Sequence, residues 1–275
     1  MINAMKKILF VLLSSAFLLT SCSKFQRVLK SSDMNLKYET AEKYYEKKDY
    51  FRALQLLEEL MTVYRGTVRG EQVYYYYAYS NFYIRDYIMA SYHFNNFLAS
   101  YPTSKYAEEI QYMYAYCFYL DSPISSLDQT NSFDAIDKFQ LFINRYPGSP
   151  RVADANKLID ELRMKLETKQ FANAKLYYKT EHYKAAVSAL QNVLIDFPAS
   201  VFKEEVLYLI FKSSYFYANN SIESKQLIRL KDARENYLKL VDSFPQSKYL
   251  DDAERQYGKV ESEIKSHESA ALNHQ

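Results

Sequence analysis

Catalysis needs nucleophiles, bases or metal ligands brought together at workable spacing, and this chain offers few. Its histidines are His93, His182, His267 and His274. None stands near a cysteine or carboxylate at metal-ligand spacing with a second ligand. Gly66, Gly70, Gly148 and Gly258 form no phosphate-cradling loop. The carboxylate pairs Glu58-Glu59, Glu108-Glu109 and Asp251-Asp252 read as solvated helix faces or helix-start charges. Cys117 lies among aromatic residues in YAYCFYL, with no histidine that the sequence would bring beside it. A small buried thiol is its expected role. No catalytic residue, metal ligand or cofactor is expected, so the chain reads as a non-enzyme. Tyrosine is what it has in quantity: 29 of 275 residues, with no tryptophan. Residues 71–83, EQVYYYYAYSNFY, are the densest stretch. Rings at that density pack a core or stack on a partner, and a tyrosine suits both because its hydroxyl can stay wet.

One further side chain has chemistry of its own, Cys22. It follows Lys6 and Lys7, an apolar run over residues 8–19 and then Leu19-Thr20-Ser21. A charged start, a short apolar stretch and a small-residue ending make a secretory signal. The apolar run is too short to cross a bilayer as a helix. Leucine and two small residues before cysteine resemble a bacterial lipobox, in which the cysteine is acylated and becomes the first mature residue. Cys22 is therefore the expected lipidation site, and residues 1–21 the expected signal peptide. Loss of residues 1–21 removes two lysines and no acid, leaving 33 basic and 33 acidic residues. That balance argues against a general nucleic-acid binder. Membrane attachment would come from acyl chains rather than a polybasic surface. With Cys22 acylated, Cys117 has no partner and no disulfide framework forms.

The elements that must hold the tyrosines are written as a repeat. Tyr101-Pro102-Thr103-Ser104, Tyr146-Pro147-Gly148-Ser149, Phe197-Pro198-Ala199-Ser200 and Phe244-Pro245-Gln246-Ser247 share one pattern. Twelve residues before each proline stands Ala90, Ala135, Ala186 or Ala233, and four after each alanine comes Phe94, Phe139, Leu190 or Tyr237. Ala78 and Ala174 lie twelve before Ala90 and Ala186, and Ala41 lies twelve before Ala53 in a unit where Arg65 replaces the proline. Proline disfavours helix at the residue before it, and the serine that follows is placed to cap the next helix. Two alanines per unit let paired helices approach closely, where larger side chains would overpack. The spacing predicts an all-α chain: a tetratricopeptide-like helix-pair solenoid of about five repeats, with a long helix joining repeats three and four.

Two units are longer than the rest, through insertions at 121–130 and 219–225, both expected in the turn between the helices of a pair. Residues 151–180 lack Pro and Gly and keep helical spacing, which predicts the long joining helix. The expected organisation is a signal peptide at 1–21, a lipidated linker at 22–30 and repeats one to three at 31–148. The long helix with repeats four and five follows at 149–265, and a flexible tail at 266–275.

Taken together, the lipobox cysteine, the linker Ser-Lys-Phe-Gln-Arg-Val-Leu-Lys, the five units, the Asp121-Ser122-Pro123 insertion and the helix end Leu141-Phe142-Ile143-Asn144-Arg145-Tyr146-Pro147 resemble the BamD family. These are lipoproteins of the outer-membrane β-barrel assembly machine. The resemblance implies a scaffold on the periplasmic face of the outer membrane, with Cys22 as its lipid anchor. It implies amino-terminal units that recognise unfolded outer-membrane proteins, and carboxy-terminal units that dock on the periplasmic domains of the central β-barrel subunit. It supplies no docking motif; residues 201–257 are the expected docking region. If the first helix of each unit lines the concave side, helical spacing gives the groove candidates: Tyr38 and Tyr45, then Tyr75, Tyr79 and Phe82, then Tyr112, Tyr116 and Tyr119. Tyr74 and Tyr77 are expected in the core and Tyr76 at the periphery. Two alternatives share the lipobox and the helices: a lipid-anchored scaffold for pilus secretin or envelope assembly, and a glycan-binding outer-membrane lipoprotein.

Overall fold

The structure, a computed structural model, describes residues 24–273. The signal segment and Cys22 lie outside the described residues. Among those described, the chain is all-helical and contains no strand. A short helix over residues 24–29 (α1) is followed by α2 (Met34–Glu46), α3 (Tyr50–Val63), α4 (Val68–Tyr83), α5 (Tyr87–Ser100), α6 (Ala107–Asp121) and α7 (Thr130–Arg145). Then come α8 (Val152–Lys179), α9 (Tyr183–Asp196), α10 (Lys203–Asn219), α11 (Glu223–Ser243) and α12 (Leu250–Asn273). The predicted joining helix is α8, 28 residues long. The chain divides into two compact units, one running up to Pro123 and adding Asp128–Leu162, the other holding Ile124–Leu127 and everything from Arg163. The division therefore falls inside α8, not at the residue 148 boundary that the repeat count suggests.

In the first unit the repeat alanines are the tightest points of the core. Ala41, Ala53, Ala78, Ala90, Ala115 and Ala135 have no exposed surface, and neither do Leu57, Phe94 and Phe139 four residues beyond the second alanine of each pair. Gly70 opens α4 under the same constraint: a Cβ there would stand 2.2 Å from the Tyr64 carbonyl oxygen. In the second unit Ala174, Ala186 and Ala233 are buried, with Leu190 and Tyr237 in the large positions. The fifth pair lacks the first alanine and has Ser214, whose buried hydroxyl accepts from Asn236 Nδ2 at 2.9 Å.

The proline turns separate the pairs as the pattern predicts, but their serines bond the residue just before the next helix rather than capping it: Tyr106 and Phe202 take the N-cap positions of α6 and α10 without a side-chain cap bond. Ser104, Ser149, Ser200 and Ser247 each accept, through Oγ, the backbone N–H two residues on, at 3.0, 3.2, 3.0 and 3.1 Å. In the first and fourth of these turns, and the third, the previous pair adds a carboxylate. Glu71 accepts from Ser104 Oγ at 2.5 Å, Glu167 from Ser200 Oγ at 2.6 Å and from Val201 N, and Glu204 from Lys248 N at 3.1 Å. A turn that ends a pair is thereby tied to the first helix of that pair, α4, α8 or α10.

Between the helices of a standard pair the chain turns through a left-handed residue: Lys48 (φ 62), Arg85 (φ 66) and Glu181 (φ 62). Each stands five residues before the second alanine of its pair. The two insertions differ from one another. Residues between α6 and α7 form a true loop, whose tip Ile124–Leu127 groups with the second unit, where Lys169 Nζ donates to the Leu127 carbonyl at 2.5 Å. The later insertion, expected as a loop, mostly lengthens a helix: α11 has 21 residues where α3, α5 and α9 have 14. Seven residues make about two helical turns, so the extra length is absorbed with only a short connection. The carboxy-terminal segment from 266, read as a flexible tail, continues α12 to Asn273. Ala253, Val260 and Ile264 bury one face of that helix, and Glu268 pairs with Lys231 at 2.9 Å.

Candidate partner-binding surface

Helix α4 presents rings on more than one face, and its neighbours use nearly all of them. Tyr74 packs edge-on to Phe97 and His93 on α5, and Tyr77 meets the His93 ring at 4.7 Å with planes at 90°. Both pack inward as expected, although each stays partly exposed. Tyr76, expected at the periphery, instead lies 4.4 Å from Tyr45 and donates to Glu42 on α2 at 3.2 Å. Tyr79, expected to face a groove, is buried: its ring meets Phe94 at 5.1 Å and its hydroxyl donates to Glu109 on α6 at 2.6 Å. Tyr112 is likewise buried, between Phe139 and Phe142, with its hydroxyl on Asp154. The reason is common to both. The first helix of a unit is flanked by its own partner and by the next unit, so a residue beside the packing alanine meets both.

The remaining candidates are partly exposed and mostly joined. Tyr75 lies 4.5 Å from Tyr79, 4.4 Å from Tyr106 and 6.0 Å from Tyr76. Phe82 reaches Tyr79 at 6.4 Å and Tyr116 on α6 at 6.2 Å. Tyr116 stacks on Tyr112 at 5.9 Å and on Tyr119 at 5.6 Å. Tyr45, Tyr75, Tyr79, Phe82, Tyr112, Tyr116 and Tyr119 thus belong to one ring network across α2, α4 and α6, Tyr45 entering through Tyr76. Tyr38 stands apart from it, edge-on to Tyr64 at 6.1 Å and under the Arg69 guanidinium at 5.3 Å. Stacked and tilted ring pairs at these separations add stability beyond the area they bury.

The carboxylates that hold this network are the residues that single-position reading of the sequence misses. Glu42, Glu109, Asp154 and Glu161 accept from Tyr76, Tyr79, Tyr112 and Tyr119, the last at 2.7 Å. Tyr106 donates to Gln72 at 3.0 Å. The second unit repeats the device: Tyr208 donates to Asp252 at 2.6 Å and Tyr215 to Glu263 at 2.9 Å. Partners are 30 to 48 residues apart, about one repeat. A tyrosine one repeat from an acid is the signal that would have found them. Glu109 and Asp252, read as solvated charges, are acceptors in these bonds.

Burial and the neighbouring carboxylates act together on the phenols. Burial, then the charge of Glu109, pushes Tyr75 up to about 12, and the hydrogen bond to Glu161 followed by burial does the same for Tyr119. Tyr79 is raised further, by burial first and then by its bond to Glu109. All three remain neutral at physiological pH, and Tyr79 and Tyr119 remain donors. Burial also raises the Cys117 thiol above its ordinary value, which keeps it protonated and unreactive. In the second unit the bonds from Tyr208 and then Lys212 hold Asp252 at about 2. Among the described residues no group of His, Cys, Asp and Glu is arranged to hold a metal ion. None of their helices is long and apolar enough to cross a membrane.

What the arrangement offers chemically is a row of partly exposed rings, with the Tyr119 hydroxyl held by Glu161. Over 218 residues the chain is 23% identical to the outer membrane protein assembly factor BamD of Pasteurella multocida, covering 75% of this chain and 82% of that protein. It is 23% identical to the protein of the same name from Rickettsia prowazekii over 211 residues, covering 76% and 80%. The family described as YfiO, outer membrane lipoprotein, matches residues 30–220, which hold the ring network and most of the helix pairs, and the chain belongs to that family.

Proposed function

We propose that the protein is a lipid-anchored scaffold on the periplasmic face of the outer membrane that assists the assembly of β-barrel proteins there. Cys22 carries the anchor. The amino-terminal pairs bind unfolded outer-membrane protein segments through the partly exposed part of the ring row, Tyr75, Phe82, Tyr116 and Tyr119. The region 201–257 docks on the periplasmic domains of the central β-barrel subunit. The family match over residues 30–220 carries this reading. The names of the relatives supply its subject, outer membrane protein assembly. The rings supply a physical means. An unfolded barrel strand alternates apolar and polar side chains, and exposed tyrosine and phenylalanine faces bind the apolar set without demanding one sequence.

Affinity capture from solubilised envelopes, followed by crosslinking to an unfolded barrel protein, tests the assignment. The wild-type chain is expected to co-purify with a large barrel subunit. Combined Phe82→Ala and Tyr116→Ala substitutions are expected to lower crosslinking to unfolded barrel segments at least tenfold while leaving that co-purification intact. Undiminished crosslinking in a folded double variant would remove the ring row from the binding site.

A further inference from the structure

Aligned on the second packing alanine, the residue two positions earlier is Phe51, Ile88 and Phe133 in the three pairs of the first unit. In the two pairs of the second unit it is Lys184 and Lys231. The three apolar residues are not core: they are 68%, 70% and 59% exposed. Each stands in the opening turn of its helix, α3, α5 or α7, so all three lie along the edge where the two helices of a pair are joined. On the same edge the half-exposed Tyr83 stacks on Tyr50 at 4.5 Å. Single exposed apolar residues are ordinary. The same exposed register filled three times running, and by lysine at the equivalent places elsewhere, makes a row.

The start of the chain indicates what covers it. Phe25 is buried edge-on to Tyr44 at 5.5 Å, and the Arg52 guanidinium lies over both rings at 5.8 and 5.6 Å. Arg52 directly follows Phe51, the first member of the row. Cys22 is three residues from Phe25, a reach of at most about 10 Å. An acyl group on Cys22 therefore brings the bilayer surface beside the end of the row.

We propose that this edge of the first unit lies on the membrane that holds the anchor, with Phe51, Ile88 and Phe133 seated at the boundary of headgroups and acyl chains. The inference rests on the lipid anchor in the proposed function and adds an orientation to it. A flexible acyl tether fixes distance but not facing; an apolar edge fixes facing. Tyrosine rings such as Tyr50 and Tyr83 suit the headgroup level. Lys47, Lys48 and Arg85 are exposed in the adjoining turns and meet lipid phosphates. The acids of those turns, Asp49 and Asp86, are engaged as helix caps, accepting from Arg52 N and Met89 N.

The chain has no tryptophan, so Phe51→Trp, Ile88→Trp and Phe133→Trp each introduce a sole reporter at an exposed site. Ile195→Trp, on the exposed face of α9 in the second unit, is the control. The full acylated chain is placed in phosphatidylethanolamine–phosphatidylglycerol vesicles with or without brominated acyl chains. Blue-shifted emission quenched by bromine is expected at 51, 88 and 133 and not at 195. Solvent-like emission at all three in protein that floats with the vesicles would overturn the proposal. So would a blue shift without vesicles that grows with protein concentration, which would assign the row to a second copy. A blue shift appearing only on addition of an unfolded barrel protein would overturn it too. Mass spectrometry and flotation of the Cys22→Ser chain test the anchor separately. If acylation is absent, the anchor reading fails, and the row is then decided by bromine quenching in the Cys22→Ser chain alone. There, each apolar residue replaced by serine is expected to lower vesicle partition roughly tenfold.

Discussion

Tyr79 illustrates how a ring in a stacked helix repeat comes to hold a joint rather than a surface. Its ring fills space against Phe94, while its hydroxyl closes on Glu109 of the next pair. Tyr79→Ala is therefore expected to destabilise the first unit by about 3–5 kcal/mol. Tyr79→Phe, which keeps the ring and leaves Glu109 without its donor, should cost about 1–3 kcal/mol. Urea unfolding of the two variants separates packing from the hydrogen bond: equal losses would show that the ring adds nothing beyond its hydroxyl, and an unchanged Tyr79→Phe would show that the hydroxyl contributes nothing. In the second unit the bonds that hold Asp252 at about 2 make a stability contribution with a defined pH window. The folded value lies below the ordinary carboxylate range, so the contribution is complete above about pH 4 and disappears as the pH falls through about 2. Carboxyl NMR should show Asp252 titrating near 2, and Asp252→Asn should remove this part of the acid dependence. A midpoint near 4 would mean that the Tyr208 and Lys212 bonds are absent in solution.

The turns and helices carry a different kind of information. Lys48, Arg85 and Glu181 occupy the left-handed region at one and the same repeat position. A non-glycine residue pays about 1 kcal/mol or more there, partly offset by glycine's greater freedom in the unfolded chain. Arg85→Gly is accordingly expected to raise the stability of the first unit by up to about 1 kcal/mol, readable as an increase in thermal midpoint; a decrease would place the side chain of Arg85 in a stabilising contact. Element ends were legible where chemistry marks them: the four Pro-x-Ser turns separate helices at all four sites, although each serine bonds the N–H of the residue just before the helix instead of capping the helix itself. The insertion at 219–225 was not, because Asn219, Asn220 and Ser221 read as loop while Glu223 to Lys225 are equally good helix formers. Only the packing of a longer α11, along which Leu230 is the first buried residue, decides between the two.

At the scale of the chain, the alanine and proline spacing was enough to predict an all-helical array of pairs, because close approach of two helices admits few residue types and those recur. The ring row was only half legible. Helical spacing placed Tyr75 with Phe82, and Tyr116 with Tyr119, on shared helix faces, but it treats a helix as having one buried and one open face. In a repeat array both flanks of the first helix are occupied, which is why Tyr79 and Tyr112 are buried and why Tyr76 reaches Glu42. The acceptors Glu109, Asp154 and Glu161 lie a repeat away, beyond any local pattern. The function proposed for these pairs is a scaffold for outer-membrane barrel assembly. Its most direct test is depletion of the protein from its own cells, followed by quantitation of folded barrel proteins in the outer membrane. Folded barrels are expected to fall several-fold, with unfolded forms accumulating in the periplasm and wild-type protein restoring both. Unchanged levels of folded barrels after complete depletion would contradict it.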